Sequence, residues 1–286
     1  MVRYLLMVFL VAMGSLAQAR PPQIFLDVAR FRNLNLVEKG AEVDIYITVP
    51  TQSLTYRQRA PKQFQSAATV TLEVLKADGK PAYREVITLK PPVINDTTME
   101  IKNPQSFLKR VLLPDGKYTL RGTVRDQYRT ANGETTVEQP LVLEAPAGVF
   151  MSDIVLLSKP AAKNGGSDNF SRGGYSLTRT PIGFYGRGAD NLFFYTEVHQ
   201  ATAGEALTMR YILTGPNNFS TTSEATVTAA AGKPTPVVGQ LPMGTLPDGE
   251  YTLLIEAYSG KKLLAGKRIK GQRKQLEYVP AGASAR

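Results

Sequence analysis

An eight-residue phrase is written twice in this chain. It appears as LPDGKYTL at residues 113–120 and as LPDGEYTL at 246–253, differing only at Lys117 and Glu250. Pro-Asp-Gly makes a tight turn, because proline presets φ and glycine accepts a positive φ. The tyrosine that follows opens a strand on its inward face. A buried phenol needs a hydrogen-bond partner. In sandwiches of the immunoglobulin type, a tyrosine at the start of strand F finds one on the backbone of the corner before it. Tyr118 and Tyr251 are therefore expected to be structural tyrosine corners, one in each of two tandem modules.

The rest of the chain agrees with that frame. AEVDIYITVP sets Val43, Ile45, Ile47 and Val49 on one face and Asp44, Tyr46 and Thr48 on the other. ATVTLEVLK does the same with Val70, Leu72 and Val74, and KYTLRGTVRD with Tyr118, Leu120 and Val124. LFFYTEVHQ, ALTMRYILTG and EYTLLIEAY repeat the pattern in the second half. Alternation of period two marks strands with one buried face. Asp-Gly and Asn-Gly turns separate them, and no segment after residue 19 has the period of a three-turn helix. The expected class is all-β, with two tandem immunoglobulin/fibronectin-III-like β-sandwiches after a signal peptide. The expected boundaries are sandwich one over 20–144, a linker at 145–148, sandwich two over 149–279 and a disordered tail at 280–286.

The leader MVRYLLMVFLVAMGSLAQA has one positive charge, a short apolar run and small residues at Ala17 and Ala19. That is the pattern of a secretory signal peptide, and the run is too short for the roughly 20 apolar residues of a membrane span. The sequence has no cysteine. A signal without disulfides suits a bacterial envelope, and the expected location is the periplasm, outer-membrane periphery or surface of a Gram-negative bacterium. No transmembrane segment is expected.

One segment breaks the rhythm. Residues 159–190 form a long glycine-rich loop between SDIVLLS and NLFFYTEV, in which aromatic residues alternate with arginines. This composition suits a binding surface, which would use Arg172, Tyr175, Arg179, Tyr185 and Arg187. It also suits a loop that drapes over the sandwich and covers the junction of the modules. FMSDIVLLSK, FSRGGYSLTRTPIGFYG, NLFFYTEVH and, near the start, FLDVARFRNLNLVEKGAEVDIYITVP together resemble the immunoglobulin-like N-terminal region of GWxTD-domain proteins, envelope proteins of Bacteroidota-type bacteria. The chain has no tryptophan, so the motif that names that family is absent. What the resemblance implies is the sandwich region and its location. It implies no catalytic residue.

Little in the sequence carries chemistry. His199 is the sole histidine, on a strand face with Glu197 and Tyr195. With no cysteine, a zinc site would have to be built largely from carboxylates, and no metal or cofactor is expected. NGGSDNFSRGG lacks the Lys-Ser/Thr end of a phosphate loop. No catalytic residue is assigned. The net charge is +10. Seven basic residues and no acid lie within 261–274, namely Lys261, Lys262, Lys267, Arg268, Lys270, Arg273 and Lys274. Such a run blunts an edge strand or offers a patch to an anionic polysaccharide. The functional expectation is thus a non-catalytic exported envelope protein, a structural or protein-interaction module whose partner is another envelope protein. The alternative is a binder of anionic glycan or lipopolysaccharide through the basic C-terminal strand. Nucleic acid is not an expected partner.

Overall fold

The structure, a computed structural model, describes residues 21–32, 40–98, 104–144, 146–163, 171–180, 183–186 and 188–274. The signal peptide, the tail and Arg187 lie outside the described residues. The first sandwich is built from β1 (Phe25–Arg32), β2 (Gly40–Val49), β3 (Tyr56–Ala60), β4 (Gln63–Ser66), β5 (Ala68–Lys76), β6 (Pro81–Leu89), β7 (Gln105–Pro114), β8 (Gly116–Asp126) and β9 (Glu134–Leu143). A sheet of order β1-β2-β7 faces one of order β6-β5-β8-β9, and β3 and β4 form a separate hairpin.

The second sandwich repeats this plan. It comprises β10 (Phe150–Met151), β11 (Val155–Leu157), β12 (Ala162–Lys163), β13 (Ser171–Arg172), β14 (Tyr175–Ser176), β15 (Phe184–Tyr185), β16 (Asn191–His199), β17 (Ala206–Thr214), β18 (Ser220–Thr228), β19 (Thr235–Pro242), β20 (Gly249–Ser259) and β21 (Lys262–Arg273). β10, β11 and β19 pair with β16, and the facing sheet runs β15-β21-β20-β17-β18. Matching strands occupy matching places: β16 stands where β2 does, β17 where β5 does, and β20 where β8 does. Both units are thus immunoglobulin/fibronectin-III-like sandwiches. No helix among the described residues is long and apolar enough to cross a membrane.

Each sandwich has its own core. Val43, Ile45, Ile47, Val70, Leu72, Val74, Leu120 and Val124 close the first. Phe194, Met209, Leu213, Tyr251, Leu253 and Ile255 close the second. These are the inward positions of the alternation, and burying each such aliphatic side chain contributes about 1.5–3 kcal/mol. The 159–190 segment is not structureless. It holds β12, β13 and β14 as a small antiparallel sheet, and β15 adds in parallel to the end of β21.

Both corners form. The Tyr118 hydroxyl donates to the Pro114 carbonyl at 3.0 Å, and the Tyr251 hydroxyl to the Pro247 carbonyl at 2.7 Å. Gly116 and Gly249 take positive φ, and a Cβ on Gly249 would meet Pro216 Cγ at 2.4 Å. The two corners differ in burial. Tyr251 is 1% exposed, whereas the Tyr118 bond lies at the surface. Tyr251→Phe should therefore cost about 1 kcal/mol, the net value of one hydrogen bond, and Tyr118→Phe less than half of that. Paired urea melts give the comparison, and equal losses would contradict it.

Candidate functional site: the seam between the sandwiches

The two sandwiches pack side by side through the outer faces of their β1-β2-β7 and β11-β16 sheets. Alternation along β1 sends Ala29 and Phe31 outward, and along β16 it sends Phe193 and Tyr195 outward. Instead of meeting water, these side chains meet one another, together with Val155, Leu157, Leu177, Tyr175 and Tyr46, in a third apolar cluster. Tyr195 lies edge-on to Tyr175, with ring centroids 6.3 Å apart. Burial first, and then the neighbouring Glu197, raise the Tyr195 hydroxyl far above the ordinary tyrosine range, so it serves only as a donor, to Glu197 Oε1 at 2.7 Å.

Charged groups cross this seam. Arg172, on β13, reaches the first sandwich and pairs there with Glu42 and with Asp44 at 3.2 Å. Its guanidinium lies 3.7 Å from the centroid of the Phe31 ring, and its other arm stands 4.0 Å from Glu197. Arg110, on β7, pairs with the same two acids, at 2.7 Å from Asp44 and 3.0 Å from Glu42. The Arg172 side chain is 9% exposed and Asp44 is 2% exposed. Charges removed from water to this degree persist only when paired. A planar guanidinium can pair with a carboxylate and stack on a ring at once, which an ammonium cannot.

Two further contacts extend the seam. Arg179 pairs with Asp27 and lies 3.9 Å over the Tyr46 ring. Burial pulls its guanidinium down to about 10, which leaves it charged at neutral pH. Asp153 accepts from Arg30 Nε at 2.6 Å and from Lys267 Nζ at 3.0 Å. Burial pushes the Asp153 carboxyl up, but Arg30 and Lys267 outweigh it and hold the group below the ordinary carboxylate range. A lowered folded value means that this carboxylate stabilises the fold above its unfolded pKa of about 3.9. That contribution is lost as pH falls through the folded value. Acid titration of stability should show a loss below about pH 4 that is smaller in Asp153→Asn.

His199 is buried at the top of the seam. It stacks on Phe150 with centroids 4.7 Å apart, and its Nε2 stands 3.2 Å from Glu197 Oε2. The shared strand face of Tyr195, Glu197 and His199 is thus as the alternation predicts. No group of three or more metal-ligating side chains occurs among the described residues. A cleft of about 360 Å³ opens beside the charge cluster, lined by Arg32, Glu42, Arg110, Arg172, Glu197 and Lys233 among others. Its cations and carboxylates largely satisfy one another.

The sequence-derived site residues are therefore redistributed. Arg172, Tyr175 and Arg179 pack against the first sandwich in the seam. Tyr185 turns into the second core and donates to the Leu157 carbonyl at 3.1 Å. The aromatic rings gain by leaving water, and the desolvation cost of the guanidinium groups is offset by Glu42, Asp44 and Asp27 across the seam. The basic run is not one patch either. Arg273 is 3% exposed and donates to the Ala189 and Gly244 carbonyls. Lys267 pairs with Asp153, and Lys270 pairs with Glu250 at 2.8 Å. Lys261, Lys262, Arg268, Lys270 and Lys274 remain exposed. Sequence reasoning missed Asp27, Phe31, Glu42 and Asp153 as seam residues. The available signal was Glu42 and Asp44 at alternate positions of an otherwise apolar strand.

No known protein family model matches the chain, and no curated protein matches it. Among solved structures it is similar to the transglutaminase of red sea bream, at 10% identity and a TM-score of 0.24, covering 88% of this chain and 31% of that one. It is similar to a β-glucuronidase of Bacteroides uniformis, at 11% identity and a TM-score of 0.32, covering 80% and 26%. It is also similar to a tetra-tandem repeat in the extending region of a large adhesion protein, at 13% identity and a TM-score of 0.25, covering 88% and 50%. The chain spans half or less of each of these proteins, and the likeness concerns the sandwich fold.

Proposed function

We propose that this chain is a non-catalytic exported envelope protein in which two sandwiches, joined along one seam, form a structural and protein-interaction module. The resemblance to the sandwich region of GWxTD-domain proteins supports the envelope location, on the periplasmic side, at the outer-membrane periphery or at the surface. With the arginine-rich loop turned inward, the contact falls to the open sheet edges. The observation that carries the proposal is β18.

Edge strands are usually blunted by lysine, proline or a bulge. β21 carries its lysines, β6 begins with Pro81, β9 contains Pro140 and β19 contains Pro236. β18, STTSEATVT, has none of these. It pairs with β17 in unbroken register from Ser220 to Thr228, with no bulge. Its one charge, Glu224, is met by Arg210 at 2.8 Å. An exposed, unbulged and nearly neutral edge of nine residues is a template for strand addition by a partner.

The test is capture from native envelope extract by the full chain and by a Thr222→Lys/Thr226→Lys variant, followed by amide exchange of the captured complex. The expected result is a specific protein held by the wild type, protecting amides of 220–228, and released by the variant. Equal capture by both, or capture without protection at β18, would overturn the edge assignment.

A further inference from the structure

We infer that the end of the first sandwich formed by the β3–β4 hairpin and the β8–β9 loop is a binding surface for a linear anionic polysaccharide. This surface lies apart from the seam and from β18, and the inference is independent of the strand-addition proposal.

The surface is rigidly held from beneath. Asp126, buried at the end of β8, accepts the backbone amide of Thr55 at 2.7 Å and that of Tyr128 at 2.9 Å. One carboxylate thus clips the entry to the hairpin onto the β8–β9 loop. Arg129 Nε adds a bond to Thr55 Oγ1 at 3.3 Å. On the other side, Phe64 and Ile94 exchange both backbone hydrogen bonds at 2.8 Å, and Gln65 Nε2 donates to the Pro91 carbonyl at 2.9 Å. Three connections at one end of the sandwich are tied together. Recognition loops cluster at one end of a sandwich in this way.

What the frame presents is cationic. Arg57, Arg59 and Lys62 are all exposed. Arg57 and Arg59 flank the exposed Gln58 on β3, and Arg59 stands at an irregularity where the pairing with β4 passes from Gln58–Phe64 to Ala60–Gln63. Arg59 lies over the Tyr128 ring at 5.3 Å and donates to its hydroxyl, which fixes the guanidinium without neutralising it. Lys62 sits at the hairpin turn with φ +56°. Among the described residues, none of these three cations has a carboxylate within ion-pair distance, whereas the arginines of the seam are all paired. The acids of this end have other partners: Asp126 holds the two amides and pairs with Arg129 at 3.8 Å, and Asp96 accepts from the amide and hydroxyl of Thr98.

The chemistry selects the ligand class. Unpaired guanidinium groups, one of them held against Tyr128, favour carboxylate, sulfate or phosphate oxygens, which they can grip with two parallel bonds. Gln58 and Gln63 lie exposed on the same hairpin and offer amides to hydroxyl groups. Tyr128 offers a partly open ring for the apolar face of a sugar. The side chains of the hairpin itself are mainly polar, which favours a hydroxylated chain over insertion into a bilayer.

The experiment is titration of the full chain with heparin as a sulfated linear probe, at several salt concentrations, with neutral dextran and phosphatidylglycerol vesicles as comparisons. Two variants are compared with the wild type: Arg57→Ala/Arg59→Ala/Lys62→Ala at this surface, and Lys261→Ala/Lys262→Ala/Arg268→Ala on the other sandwich. All exchanged residues are exposed, and only Arg59 gives up a contact, with Tyr128 at the surface, so the melting temperature should change little and provides the folding control. The expected result is salt-sensitive heparin binding that falls at least tenfold in the hairpin variant only, with no binding of dextran. Equal loss in both variants, loss only in the second, no binding of heparin, or a preference for vesicles over heparin would each overturn the inference.

Discussion

Replacing Arg172 with alanine should cost about 3–5 kcal/mol and split a single unfolding transition into two. Among the described residues, Arg172 is the one guanidinium brought by the second sandwich to Glu42 and Asp44. Its removal leaves Asp44 buried with Arg110 alone and takes the cation from the face of Phe31. Breaking a buried ion pair on one side carries a cost of that order, because the remaining charge is desolvated without compensation. The same loss weakens the link between the two cores at its most buried ion pair, beside the apolar cluster and the Arg30–Asp153 and Arg179–Asp27 pairs. Calorimetry of the full chain reads both effects, and small-angle scattering should show a larger radius of gyration. A second variant separates charge from packing. Arg172→Met with Asp44→Asn removes both signs and keeps volume, so it should be more stable than Arg172→Ala. If the double variant is the worse of the two, the seam is held by shape rather than by charge.

A pair of adjacent glycines gives the second large effect. Gly173 and Gly174 form the turn between β13 and β14, with φ of +56° and +81°. A Cβ on Gly174 would meet nothing within 4 Å, whereas one on Gly173 would stand 2.3 Å from the Tyr195 hydroxyl. That hydroxyl is held by Glu197 and the ring is packed on Phe31 and Tyr175, so it cannot simply move aside. Gly174→Ala should therefore cost only the backbone term, about 1–2 kcal/mol. Gly173→Ala adds overpacking of about 1–3 kcal/mol. It should also shift the near-ultraviolet signal of the tyrosines, which Gly174→Ala leaves alone. Equal destabilisation by the two would mean that the turn does not press on Tyr195.

Some of this was legible from the chain alone. The inward residues of β2, β5, β8 and β20 follow from alternation, since a strand sends neighbouring side chains to opposite faces. The repeated Pro-Asp-Gly-x-Tyr predicts both corners because every group it needs lies within five residues, and the hydrogen bonds to Pro114 and Pro247 follow. The outward faces were not legible. Asp44 and Tyr46 read as solvent-facing, as they would be in a lone sandwich, and the composition of the long loop suited both a surface open to partners and a cover over the junction of the modules.

What the sequence by itself determined was the main alternating strands, both corners and the duplication of one fold, because those depend on period and turn chemistry acting over a few residues; the short strands β12 to β15 were read as loop. What only the tertiary structure decided was which outer faces meet. Arg172 and Glu42 are 130 residues apart in the chain, and nothing local to either distinguishes a charge destined for water from one destined for a seam. That distinction is made by desolvation when the two sheets close, so it belongs to the assembled pair of sandwiches and to neither segment alone.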